Sequence, residues 1–71
     1  MAMKISARNN LKGKVVSVEH GTVNSVVTIE VAEGVQLVSM ITRESARELE
    51  LEVGREVYAL VKASNVMVGV D

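Results

Sequence analysis

Seventy-one residues allow one domain with a modest core. The chain is 48% hydrophobic and almost wholly aliphatic, with fifteen Val, one Tyr (Tyr58), no Phe and no Trp, a bias towards strands. Eight Lys and Arg against nine Asp and Glu leave a net charge of −1, so no global basic field draws in a polyanion. The absence of Cys excludes disulfides and thiolate zinc sites, and one His is too few for a His-built metal centre. A domain of this size without such staples is marginal alone, so self-association is expected. No apolar run approaches the roughly 20 residues that span a bilayer, and Met1 to Lys4 is too short a lead for a signal peptide. A soluble, cytoplasmic protein is expected.

Residues 11–19 predict a first strand. Val15 lies on one parity and Val16 and Val18 on the other, which implies partial burial on both faces. His20-Gly21 marks a turn. Residues 22–32 predict a second strand, in which Val23, Val27, Ile29 and Val31 alternate with Asn24, Thr28 and Glu30. Glu33-Gly34 turns the chain into a third strand over 35–41. Thr42 then has the place of a helix N-cap, its hydroxyl set to accept from the Ser45 amide. A short helix over 43–51 turns Ala46, Leu49 and Leu51 inward and Glu44, Arg47, Glu48 and Glu50 to solvent, and Val53-Gly54 ends it. Residues 56–63 predict a fourth strand and 66–70 a fifth. The expected class is all-β: a small five-stranded OB-like Greek-key barrel, one domain over 1–71, with the helix between strands 3 and 4 plugging one end.

Two short segments carry the chemistry. Ser6 and Arg8 precede the first strand, and Lys62, Ala63 and Ser64 follow the fourth. Each sets one cation beside small hydroxyl or amide donors, and neither contains a carboxylate. Arg8 offers a planar fork suited to paired oxygens. Thr42 and Ser45 add hydroxyls where a helix opens. One surface cation returns little against the cost of desolvating a dianion. Several donors together offset it, because hydrogen bonds to charged groups contribute about 1.5–3 kcal/mol each. A site that only donates also discriminates. Hydrogen phosphate carries a proton that needs an acceptor, whereas fully deprotonated molybdate, tungstate or sulfate does not. Taken singly, Arg8 and Lys62 read as solvated surface cations and Thr42 as a plain cap. From spacing alone, the chain ends meet either within one subunit or across an interface.

The segment Ile5-Ser6-Ala7-Arg8-Asn9-Asn10-Leu11-Lys12-Gly13-Lys14-Val15 closely resembles the start of the molbindins, small stand-alone molybdate-binding proteins. The likeness extends over residues 4–70 and takes in the stretches MITRES (40–45) and LVKASNVM (60–67). The same module, called a Mop or TOBE domain, occurs in molybdate-responsive regulators and in the ATPase subunits of molybdate importers. The resemblance implies an OB-like barrel assembled as a hexamer, a trimer of dimers, with oxyanions held between subunits. At matching positions, Ser6 and Arg8 of one chain would meet Thr42, Ser45, Lys62 and the Ala63 amide of a neighbour, with Ser64 beside them. It also implies a second oxyanion site about a three-fold axis, for which His20 and Asn24 are the candidates; the bland alternative for His20 is an exposed turn residue. The 71 residues carry no DNA-binding extension and no ATPase domain, which favours storage of molybdate or tungstate over regulation or transport. No cofactor beyond that ligand and no membrane partner is called for.

Three rival functions compete with this reading. An enzyme is disfavoured by the single His, the absent Cys and the lack of a nucleophile-elbow or phosphate-loop motif. A nucleic-acid-binding OB module stacks bases on aromatics along a basic groove, and this chain has one aromatic and a negative net charge. A barrel that only oligomerises is the strongest rival.

Overall fold

The computed structural model describes residues 8–71. Four strands form one antiparallel sheet: β1 (Asn9–His20), β2 (Asn24–Ala32), β3 (Val35–Thr42) and β4 (Glu56–Val61). A short helix, α1 (Arg43–Glu48), joins β3 to β4, and a 3-10 turn at Ala63–Asn65 follows β4. The strand order is β3-β2-β1-β4.

β1 is shared between two partners. Its first half pairs with β4 from Asn9↔Val61 to Lys14↔Glu56, and its second half pairs with β2 from Lys14↔Glu30 to His20↔Ser25. A bulge between Val15 and Ser17 separates the halves. An extra residue in one strand bends it and sharpens its twist. That explains the apolar residues on both parities: Val15 is fully buried, while Val16 and Val18 are half-buried past the bend. Both backbone groups of Val15 are used by the chain entering β4. Its amide donates to the Arg55 carbonyl at 2.9 Å, and its carbonyl accepts from the Gly54 amide at 2.8 Å.

On β2 the inward row is Ser25, Val27 and Ile29. Val23 lies outside the strand, exposed, and its carbonyl instead accepts from the Arg43 amide at 2.7 Å, tying the first turn to the start of α1. The β2–β3 hairpin turns on Glu33-Gly34, with Gly34 at φ 74°, where a side chain is unfavourable. β3 turns Leu37, Ser39 and Ile41 inward and Val38 and Met40 outward.

The core is correspondingly small. Val15, Val27, Ile29 and Ala59 are its buried centre, with Val18, Val31, Leu37, Ile41, Leu51 and Val57 packed around them. Large apolar side chains remain exposed along β3, β4 and the residues after the 3-10 turn.

Three expectations are corrected. Residues 66–70, expected as a fifth strand, form no strand among the described residues: they run on, unpaired and exposed, after the 3-10 turn. The sheet within one chain is therefore open and four-stranded, not a closed five-stranded barrel. The helix stops at Glu48 instead of Leu51, because Glu50 enters the left-handed region at φ 53° and closes the end with Glu50 N–H to Arg47 C=O (3.0 Å) and Leu51 N–H to Ala46 C=O (3.1 Å). Leu49, expected inside, is 58% exposed, since Ala46 and Leu51 already occupy the inner side.

Two stability predictions follow from this geometry. A Cβ on Gly13 would lie 2.6 Å from the Glu30 carbonyl oxygen and 2.7 Å from Ile29 Cγ2, where neighbouring backbone cannot yield. Gly13→Ala is expected to lower unfolding stability by about 1–3 kcal/mol, the usual cost of overpacking; an unchanged urea midpoint would refute the close approach. Glu50→Gly removes the positive-φ penalty and is expected to raise stability by about 0.5–1 kcal/mol, read from the same denaturation curves.

Candidate functional site

The register decides where the chemistry-bearing residues lie. Asn9 pairs with Val61 as the last pair of the β1–β4 ladder, so Arg8 and Lys62 each lie one residue beyond that pair on their strands. Ala63 and Ser64 follow at once in the 3-10 turn, which is closed by the Asn65 amide donating to the Lys62 carbonyl at 2.9 Å. Arg8, Lys62, Ala63 and Ser64 are all exposed. The only ion pair among the described residues is Lys12 Nζ to Glu56 Oε2 at 3.4 Å, at the other end of the β1–β4 ladder, so both cations are left without a carboxylate. Arg8 of the first segment and Lys62 of the second thus leave the same end of one ladder within a single chain. Ser6 lies outside the described residues.

Thr42 and Ser45 form a second group. Thr42 pairs with Asn24 as the last residue of β3 and caps α1 as expected: its Oγ1 accepts from the Ser45 amide at 3.0 Å and donates to Ser45 Oγ at 2.8 Å. The Ser45 hydroxyl hydrogen is then the one left for an outside acceptor. No hydrogen bond among the described residues joins this pair to Arg8 or Lys62.

His20 and Asn24 belong to the turn between β1 and β2. The Asn24 carbonyl accepts from the Gly21 amide at 2.7 Å, which holds the turn. His20 Nδ1 lies 2.6 Å from Oγ of Ser25, a fully buried polar side chain. Sequence reasoning passed over Ser25, although it stands on the same parity as Val27 and Ile29 and so had to face inward and find a partner. His20 also borders a cavity of about 530 Å³ with Arg43, Arg47, Arg55, Glu50 and Glu52. Arg43 and Arg47, four apart on one helix, were legible as neighbours; Arg55, from the loop before β4, was not. Asn24 does not border that cavity. A second cavity of about 350 Å³ is mostly apolar and lies between β3 and β4, bordered by Ser39, Ile41, Val57, Tyr58 and Leu60. No group of three or more His, Cys, Asp or Glu among the described residues is placed to hold a metal ion, and no described helix is long and apolar enough to cross a membrane.

Against this geometry, residues 5–68 match the TOBE domain. The chain belongs to the TOBE domain family. Among curated relatives, a probable molybdenum-pterin-binding protein from Haemophilus influenzae is 56% identical over 69 residues, covering 97% of this chain and 100% of the relative. Molybdenum-pterin-binding protein 2 of Clostridium pasteurianum is 46% identical over 66 residues, covering 93% and 97%. These relatives bear out the resemblance to the molbindins. Among solved structures, MopII from Clostridium pasteurianum superposes on this TOBE domain with a TM-score of 0.88 at 43% identity, over 94% of this chain and 100% of that one. The cytoplasmic molybdate-binding protein ModG gives a TM-score of 0.91 at 43% identity; this chain spans 97% of its own length but 49% of ModG.

The TOBE domain's cap can be separated from any ligand role by stability. Thr42→Ala is expected to cost about 1 kcal/mol, the usual value of an N-cap hydroxyl, whereas Thr42→Ser retains it. Equal melting of both variants and the parent would show that the cap contributes nothing.

Proposed function

We propose that the chain binds molybdate, and also tungstate, for intracellular storage, at a site built from Ser6, Arg8, Thr42, Ser45, Lys62, Ala63 and Ser64. The observation that supports this reading is the pairing of Asn9 with Val61 at the end of the β1–β4 ladder, which leaves Arg8 and Lys62 as the next residue on each strand, with no carboxylate ion-paired to either among the described residues. In this reading the groups brought to those cations donate: the Ser64 hydroxyl and backbone amides of the same chain, and the Ser45 hydroxyl of a neighbouring copy. A bare tetrahedral dianion accepts all of them and presents no proton of its own. The names of the relatives support the choice of molybdenum oxyanion within this chemical class. The pterin in those names has little to stack on, since Tyr58 is the one aromatic and it borders the cavity between β3 and β4.

Thr42 and Ser45 come to the site from a neighbouring copy in this reading, and assembly as a hexamer, a trimer of dimers, in the cytoplasm accompanies it. The exposed apolar side chains of β3 and β4 support self-association. For the second class of oxyanion site, the cavity beside His20 is the better candidate than Asn24. Its three arginines are free of ion pairs among the described residues, although Glu50 and Glu52 share the lining and reduce the local charge.

Arg8→Ala and Lys62→Ala are each expected to weaken molybdate binding at least tenfold, about 1.4 kcal/mol, in calorimetric titration. Unchanged affinity in both variants places the site elsewhere. No heat from the parent at micromolar protein and submillimolar molybdate leaves a domain that only assembles.

A further inference from the structure

Ser25 is a polar residue in an apolar row. It stands on β2 with Val27 and Ile29, is paired with His20 on β1 and Ile41 on β3, and is fully buried. A buried hydroxyl costs free energy unless it is hydrogen-bonded. Its side-chain partner is Nδ1 of His20, at 2.6 Å. His20 itself is exposed, so water would satisfy its ring without Ser25. The bond therefore adds little stability that an alanine at position 25 would lack. Its effect is to hold the ring.

The held ring borders the cavity of about 530 Å³. Nδ1 is taken by Ser25, so Nε2 is the ring nitrogen left for a ligand. The charged groups that share the lining are Arg43 and Arg47 of α1, Glu50 and Glu52 after the helix, and Arg55 before β4. Glu19, the neighbour of His20 on β1, belongs to the opposite face by strand alternation. No ion pair among the described residues engages any of the groups in the lining. Three guanidinium groups against two carboxylates leave one positive charge, and a protonated ring doubles it. Of these side-chain types, imidazole alone changes charge between about pH 5 and 8. The Ser25 hydroxyl turns about its Cβ–Oγ bond, donating to a neutral Nδ1 and accepting from a protonated one. The ring thus keeps its orientation while its charge changes.

We propose that His20, positioned by Ser25, makes this cavity a proton-gated site for a tetrahedral dianion. The imidazolium completes the binding charge, and its deprotonation loosens the ligand. The inference rests on the reading of this cavity as the second class of oxyanion site. By linkage, a bound dianion and the ring proton favour each other, so affinity is greatest below the ring's titration midpoint and falls as pH rises through it. Molybdate keeps both charges across that range, whereas hydrogen phosphate takes up a proton as the pH falls. Acidification therefore sharpens the choice of molybdate over phosphate.

In full-length chains carrying Arg8→Ala and Lys62→Ala the first class of site is disabled, and calorimetric titration with molybdate reads the cavity. Affinity in this background is expected to be about tenfold higher at pH 6 than at pH 8. His20→Gln is expected to remove that dependence. Ser25→Ala is expected to lower the pH 6 affinity about threefold, through lost preorganisation, with little change in the urea midpoint. His20 is the one histidine, so its ring signals stand alone in the NMR spectrum. Saturating molybdate is expected to move their titration midpoint upward by about one pH unit, the linked counterpart of the tenfold change. An affinity that does not vary with pH, a dependence that survives His20→Gln, or an unmoved ring titration overturns the proton gate and leaves the cavity an anion site. Undiminished binding by Ser25→Ala at pH 6 overturns the positioning role. No heat from the background chain at either pH, while the parent still binds, removes the cavity as a site and the gate with it.

Discussion

The bend in β1 at Val15 is the constraint on which the rest of the fold depends. A single strand of twelve residues serves two partners because the bulge between Val15 and Ser17 redirects it half-way. Val15 is fixed there three times over: by burial of its side chain, by its amide on Arg55 and by its carbonyl on Gly54. Full burial of a valine is worth about 1.5–3 kcal/mol, and each backbone bond adds about 0.5–1.5 kcal/mol net. Against a total stability of order 5–15 kcal/mol, these contacts are a large share. Without the bend, β4 would not fold back over Val27 and Ile29, and the ladder that ends at Asn9 and Val61 would not form.

The chemistry of the site follows from where that register ends. β1 and β4 leave the ladder at Asn9 and Val61, and both next residues are cations. Neither has a carboxylate partner among the described residues, which is the charge pattern the proposed anion site requires. The Thr42 and Ser45 hydroxyls are already committed to each other, which fixes their rotamers and leaves a single oriented proton to give. Preorganised donors of this sort lose little entropy when a ligand arrives.

Much of this was legible in the sequence, for identifiable reasons. The strands around Val15, Val27 and Ile29 show in alternation because one face is buried. The Thr42 cap shows because its hydroxyl acts on an amide three residues away. That β1 and β4 leave their ladder next to Arg8 and Lys62 is not readable from composition, since register between distant segments depends on the bulge, and bulges carry no reliable sequence mark. The fifth strand is the opposite case: within one chain residues 66–70 form no strand. Residues 66–70 have every local property of a strand, yet pairing needs an edge within reach, and reach is not a local property. The end of the helix was misplaced because Glu50 adopts a backbone conformation that sequence reasoning reserves for glycine or asparagine.

Tyr58 gives the molecule one more property. It is the sole aromatic side chain, and it borders the cavity between β3 and β4. With no tryptophan present, phenol emission is not masked by energy transfer to an indole. Whatever enters that cleft alters the solvent around a single chromophore, so the polypeptide carries its own optical gauge of how full the opening is.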